Sequence, residues 1–336
     1  VGAGQVAGLS SFCAAYFNLY CSRANNDDDD AIYLLLAVVG YNASYGSRCT
    51  RVSMHGSWRR CGYIVLARSH AMTIGSFDSV PGTSTGQTRV KLFCLPYAGG
   101  SAAIFRDWPS RLSSEIEVVP LHLPGRGRRM REALLHDLGE IANQVVDAIA
   151  PLLEKPYVLF GHSMGACLAF EVARRLRASG LPKPACLIVS GHRAPHLPAS
   201  RSLLHGLPDD EFIDEVMRLN GTPPEILKHP EVLDLILPIL RADFEAVETY
   251  RMTPEPPLAC RIVALGGDND PGMDSDAVAS WGIHTTSSFY YQMLPGDHFF
   301  LHGSAEQMFA LINQELRSVL LQVRSGQQGV AIEPTG

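Results

Sequence analysis

The G-H-S-M-G pentapeptide at residues 161–165 constrains this chain more than any other stretch. The apolar run from Tyr157 to Phe160 ahead of it predicts a short buried strand, and residues 166–179 carry apolar side chains at helical spacing. A serine between two glycines at a strand-to-helix turn is typical of a strained turn that presents a nucleophile. Glycine suits the flanking positions because side chains there would collide with the strand and the helix. The pattern therefore predicts Ser163 as a nucleophile and His162 as a packing residue, while a plain helix-capping role for Ser163 stays open.

A serine nucleophile needs a carboxylate that orients its base. In enzymes built around such a turn, the chain order is serine, acid, histidine, with the acid just past a late strand. The apolar run at 262–265 predicts that strand, and Asp268 and Asp270 follow it. We favour Asp270, because a turn needs two or three residues before a side chain can point back toward the base. Asp268 remains the alternative, or else a solvated turn residue.

The base is expected in the turn between the last strand and the last helix. His298 lies in the turn directly after the predicted strand 289–294 and is our candidate base, with a buried structural histidine as the alternative. His302 falls near the start of a helix, which favours a structural role. His284 precedes the strand, at the wrong end of a sheet for this chemistry.

An oxyanion hole needs two backbone N–H groups aimed at one point. One is expected from Met164, the residue after the serine. The other is expected from the glycine-rich loop at 96–101, which follows the first predicted strand of the domain. We assign it to Ala98, with Tyr97 as the nearest alternative.

Strands and amphipathic helices alternate from residue 89 onward. This alternation predicts an α/β fold in which a mostly parallel sheet carries helices on both faces. Residues 200–256 interrupt it with helical patterns only, so we predict a helical insertion, the lid, above the sheet. The domain is expected to span 89–322, with a flexible tail at 323–336.

Residues 1–71 differ in character from the rest and hold four of the eight cysteines. We expect an extension with little packed structure. We favour an over-extended reading frame as its origin, with an appended segment as the alternative. Residues 72–88 contain a run rich in glycine, proline and serine that predicts a linker.

Composition excludes several classes of function. A net charge of −6 provides no basic footprint for nucleic acid. The apolar run at 31–40 is too short to span a bilayer, so we expect no membrane association. Irregularly spaced cysteines predict neither a disulfide framework nor a zinc ribbon, and favour free thiols in the cytoplasm.

Five motifs occur along the chain in this order: P-Y-A-G-G-S at 96–101, L-P-G-R-G-R at 123–128, G-H-S-M-G at 161–165, G-G-D-N-D-P at 266–271 and P-G-D-H-F-F at 295–300. Together they closely resemble the type II thioesterases of polyketide and nonribosomal peptide biosynthesis. They also resemble the medium-chain thioesterases of fatty acid synthesis. The resemblance covers residues 89–320 and implies the α/β-hydrolase fold.

The resemblance implies hydrolysis of acyl thioesters on the phosphopantetheine arm of carrier proteins, which clears stalled acyl groups from the synthase. It implies an acyl-serine intermediate on Ser163, no metal or dissociable cofactor, and a monomeric enzyme whose partners are acyl or peptidyl carrier domains. An arginine cluster, Arg126, Arg128, Arg129 and Arg131, is a candidate docking site for acidic carriers, with a solvated loop as the alternative. A general esterase, an acyltransferase or cyclase, and a non-catalytic carrier-binding protein are the competing functions.

Overall fold

The computed structural model describes residues 89–199, 202–219 and 230–328. The predicted extension (1–71) and linker (72–88) lie outside the described residues, as do 329–336 at the end of the predicted tail.

One sheet organises the described part of the chain. Its six strands lie in the order β2-β1-β3-β4-β5-β6, and every neighbouring pair is parallel. The strands are β1 (Val90–Leu95), β2 (Ile116–Pro120), β3 (Tyr157–His162), β4 (Cys186–Ser190), β5 (Arg261–Gly267) and β6 (Phe289–Leu294). The strand order reverses between β1 and β3, and ligands of parallel sheets bind beyond the carboxyl ends of the strands at such a reversal.

The helices cover both faces of this sheet. They are α1 (Trp108–Arg111), α2 (Leu138–Ile149), α3 (Met164–Ala178), α4 (Asp209–Arg218), α5 (Pro230–Thr249), α6 (Ser275–Ala279), α7 (Phe300–Gly303) and α8 (Ala305–Gln328). Short 3-10 helices lie at Ala102–Phe105, Gly127–Arg129, Ala150–Leu152 and Ser280–His284. One apolar core joins the sheet to α2 and α3, and a second core joins its other face to α8. The predicted parallel sheet between two helical layers is confirmed.

Two predicted helices differ from the structure. The sequence pattern predicts one helix over 102–112, whereas the structure divides it into the 3-10 helix Ala102–Phe105 and α1. The division occurs because the ring of Pro109 leaves no room for the carbonyl four residues earlier. The last helix continues to Gln328, so residues 323–328 are helical where a tail was expected. Val323 packs against the core there, and Arg324 lies 2.6 Å from the Glu115 carboxylate.

Helices α4 and α5 belong to the segment predicted as a lid. Their apolar faces form a third core, which includes Phe212, Val216, Leu240 and Phe244. Val216, Leu240 and Phe244 also line the cavity that contains Ser163. The described part of 202–249 therefore covers the carboxyl end of the sheet. Among the described residues, no helix is both long and apolar enough to cross a bilayer.

Candidate active site

The turn from β3 into α3 holds Ser163 in a strained backbone conformation. Its φ of 54° is the only positive φ of a non-glycine residue in the described ranges. Both flanking glycines are required by close backbone approach. A Cβ on Gly161 would overlap the carbonyl of Gly165, and a Cβ on Gly165 would overlap the carbonyl of Leu95. Strain of this kind persists only where the surroundings enforce it, and here it belongs to a serine that lines the cavity.

Loops at the carboxyl ends of three strands bring three polar side chains into line. The Nε2 of His298, which follows β6, lies 2.9 Å from Ser163 Oγ. Its Nδ1 lies 2.7 Å from Oδ2 of Asp270, which follows β5. The Asp270 side chain is only 3% exposed, and its other oxygen accepts the Gly272 N–H at 3.0 Å. In this geometry Nδ1–H donates to Asp270, which leaves Nε2 free to accept the serine proton.

The other aspartate of the β5 turn has a different task. Asp268 is exposed, and its Oδ1 accepts the backbone N–H of Gly296 at 2.9 Å. Asp268 thus ties the β5 turn to the loop that carries His298, without being bonded to the imidazole itself.

The remaining histidine candidates lie away from the serine. Nε2 of His284 lies 2.8 Å from Nδ1 of His196, and burial lowers the pKa of His284 to about 4. His302 lies in α7 and stacks on Phe299.

The glycine-rich loop after β1 lies beside the serine turn, because Leu95 pairs with Gly161 in the sheet. Two of its N–H groups are already engaged: Gly99 donates to Asp243 Oδ2 at 2.7 Å, and Gly100 donates to the Tyr97 carbonyl at 2.9 Å. Neither of these two N–H groups is therefore free to bind an oxyanion, and the two predicted donors, Tyr97 and Ala98, are not among them. Ala98, Met164 and Ser163 line the same cavity.

This cavity has a volume of about 200 Å³ and extends from Ser163 beneath the lid. Its walls are largely apolar, which suits an uncharged chain bound with its reactive carbon at Ser163. The apolar lining includes Met164, Cys167, Val216, Leu240, Phe244 and Met273. Among the described side chains, no group of three or more His, Cys, Asp or Glu is arranged to hold a metal ion.

Sequence reasoning assigned only packing to His162, and the structure shows more. The side chain is fully buried; its Nε2–H donates to the His298 carbonyl at 3.0 Å, and its Nδ1 accepts from Ser190 Oγ at 2.9 Å. Burial, and then the nearby His298, hold the pKa of His162 well below its usual value, so the ring is neutral. It therefore fixes the backbone of the candidate base, a role that residue type and spacing did not signal.

The prediction that Arg126 contributes to a docking surface is wrong. Its side chain is buried because it forms a two-pronged ion pair with the buried Asp243 of α5. Arg129 is half-buried and binds Glu132 and the His122 carbonyl. Of the predicted cluster, Arg128 and Arg131 are exposed.

Comparison with known proteins identifies the family of this chain. The family model for the thioesterase domain matches residues 90–316. Linear gramicidin dehydrogenase LgrE of Brevibacillus parabrevis is 43% identical over 71% of this chain and 92% of its own length. Thioesterase PikA5 of Streptomyces venezuelae is 39% identical over 73% of this chain and 86% of its own length.

A solved structure shows the same fold. RedJ, a thioesterase from the prodiginine biosynthetic pathway in Streptomyces coelicolor, superimposes with a TM-score of 0.65 at 40% identity, over 74% of this chain and 96% of RedJ. The predicted α/β-hydrolase architecture is confirmed by this likeness. LgrE carries the name of a dehydrogenase, whereas the family model describes a thioesterase domain and both PikA5 and RedJ are thioesterases. The chain belongs to the thioesterase family and is a hydrolase of thioesters.

Proposed function

We propose that this protein hydrolyses acyl groups from the phosphopantetheine arm of carrier proteins, through an acyl-serine intermediate on Ser163. The observation that carries the proposal is the aligned contact of Ser163 with His298 and of His298 with Asp270, at the end of an apolar cavity. Three side chains in this arrangement activate a serine for acyl transfer.

In the first half of the reaction, Ser163 Oγ attacks the thioester carbonyl carbon while Nε2 of His298 takes the serine proton. Asp270 holds the imidazole in the required tautomer and stabilises the imidazolium that forms. The N–H groups of Met164 and Ala98 bind the developing oxyanion, with the positive end of the α3 dipole behind Met164. The carbon–sulfur bond then breaks, and His298 returns its proton to the pantetheine thiolate.

In the second half, His298 removes a proton from water, which attacks the ester carbonyl of the acyl-serine. The same two N–H groups bind the second oxyanion, and the carboxylic acid leaves as Ser163 recovers its proton. The neutral, buried His162 keeps the His298 backbone in place through both halves. The chemistry uses side chains and water only, so the proposal requires no metal or cofactor.

The substrate class rests on the relatives and the cavity. RedJ and PikA5 are thioesterases, and RedJ belongs to a biosynthetic pathway that builds prodiginine. The apolar walls suit the acyl part of such a substrate, and the pantetheine arm would reach Ser163 from the open side of the cavity. A carrier-bound acyl thioester has both the apolar acyl chain that fits the cavity and the pantetheine arm that reaches Ser163.

The test is intact-mass analysis of a panel of acyl-loaded carrier proteins after incubation with the wild type or with Ser163→Ala. The wild type should convert acyl carriers to free holo carriers, while Ser163→Ala should leave them loaded. A matched pair of pantetheine analogues, one thioester and one oxygen ester with the same acyl group, tests the acceptor preference. Equal turnover by both proteins, or faster hydrolysis of the oxygen ester, would contradict the proposal.

A further inference from the structure

Helix α5 of the lid contacts the loop that carries the proposed oxyanion donor Ala98. Asp243 Oδ2 accepts the N–H of Gly99, the next residue, at 2.7 Å. One turn earlier in α5, Leu240 packs against the same glycine, where a Cβ would overlap the leucine side chain. Two neighbouring positions of α5 therefore hold one peptide unit of the loop.

The acceptor in this contact is a fully buried carboxylate. Its charge is balanced by Arg126, from the loop after β2, whose Nη2 lies 2.6 Å from Oδ1 of Asp243. Arg126 Nε also donates to the Pro124 carbonyl of its own loop at 3.3 Å. A buried ion pair contributes little net stability relative to well-packed apolar residues, because removing two charges from water is costly. Stability alone therefore does not account for the pair.

The turn of the oxyanion loop is closed internally by the bond from Gly100 N–H to the Tyr97 carbonyl, and Gly99 has a φ of +75°. The hydrogen bond to Asp243 is the polar contact that ties Gly99 of this turn to α5, next to the apolar contact with Leu240. The Ala98 N–H lies in the preceding peptide unit, so a displacement of the turn at Gly99 would shift the Ala98 N–H relative to the serine. An oxyanion donor acts only when its direction is set before the reaction.

We propose that Asp243 is a positioning residue for the oxyanion hole, with Arg126 as its charge partner. The lid helix α5 is then part of the catalytic framework as well as a cover for the acyl chain. This inference rests on the proposed function, in which the Ala98 N–H binds the oxyanion.

Two double variants distinguish the effect of losing the hydrogen-bond acceptor for Gly99 N–H from the effect of losing the two charges. Arg126→Met with Asp243→Leu removes both charges and the acceptor while filling the space. Arg126→Met with Asp243→Asn also removes both charges but keeps a side-chain carbonyl for Gly99 N–H. If the leucine variant fails to fold, Arg126→Met with Asp243→Ala replaces it.

The readout is the separation of kcat from KM on an acyl-pantetheine thioester, with thermal melting of each variant. The leucine or alanine variant should lose about ten- to hundred-fold in kcat, somewhat less than complete removal of a donor, with KM within about twofold. The asparagine variant should recover kcat to within about threefold of wild type, because its carbonyl restores the contact with Gly99. Glu315→Gln, in the distant Arg261–Glu315 pair, is the matched control and should leave kcat unchanged.

Wild-type kcat in the variant without an acceptor would overturn the inference, as would an equal loss in the asparagine variant. Ser163→Ala, assayed in parallel, distinguishes failure of the proposed function from failure of the role of Asp243. If Ser163→Ala retains activity, the proposed function itself fails. If Ser163→Ala is inactive while removal of the acceptor has no effect, only the role of Asp243 fails.

Discussion

Replacing Asp270 by asparagine should reduce kcat by about 10⁴, which corresponds to roughly 5 kcal/mol of transition-state stabilisation. The size follows from the environment of the carboxylate. Its Oδ2 lies 2.7 Å from Nδ1 of His298, and the side chain is only 3% exposed, so water cannot replace the lost charge. An amide nitrogen at that position would also favour the tautomer in which Nε2 carries the proton and cannot accept from Ser163.

The assay is steady-state hydrolysis of an acyl-pantetheine thioester, followed by thiol release. Asp268→Asn is the matched control, because it makes the same chemical change in the same turn. Its amide oxygen still accepts the Gly296 N–H, so its kcat should stay within about threefold of wild type. A kcat of Asp270→Asn within tenfold of wild type, or an equal loss of kcat in Asp268→Asn, would refute the role assigned to Asp270.

Three further predictions concern the serine turn, pH and docking. Gly161→Ala should lower the free energy of unfolding in urea by about 1–3 kcal/mol, because its Cβ meets backbone at Gly165, whereas Gly206→Ala, with open space around it, should change it by less than about 0.5 kcal/mol. The free energy of unfolding should fall as the pH drops from about 6.5 toward 4, by at most about 1.4 kcal/mol per pH unit for each histidine. The reason is that histidine in the unfolded chain binds a proton in this range, whereas buried His284, with its pKa of about 4, does not. His284→Gln should reduce this slope in urea titrations at several pH values, and an unchanged slope would exclude His284 as its source. Arg128→Glu with Arg131→Glu should raise KM for an acyl carrier about tenfold and leave a small thioester unaffected, since the change removes attraction for an acidic partner. Equal effects on both substrates would argue against docking at this loop.

Local pattern was enough to predict the residues that meet at the serine. Ser163 directly follows β3, and Asp270 and His298 lie in the turns after β5 and β6. The carboxyl ends of parallel strands meet at one edge of a sheet. The positions of these residues after the predicted strands were therefore enough to predict that they lie close together, without knowledge of side-chain contacts. The two glycines around the serine carried the same information, because their need for close backbone approach is local.

Contacts between distant segments could not be predicted in this way. The pair formed by Arg126 and Asp243 joins residues far apart in the chain, and an arginine among three others looked like part of a basic surface. The bond from His162 to the His298 carbonyl involves a backbone atom, which residue type does not reveal. The split of the helix at 102–112 was readable from Pro109, whereas the extension of α8 depends on packing and on the contact between Arg324 and Glu115.

The most direct test of the central claim is to locate the reactive nucleophile. The wild type would be treated with a serine-directed fluorophosphonate and its labelled peptides mapped by mass spectrometry, with Ser163→Ala and His298→Ala alongside. We expect label on Ser163 in the wild type, none in Ser163→Ala, and strongly slowed labelling in His298→Ala. Label on another residue, or labelling of Ser163 at an undiminished rate without His298, would contradict this expectation.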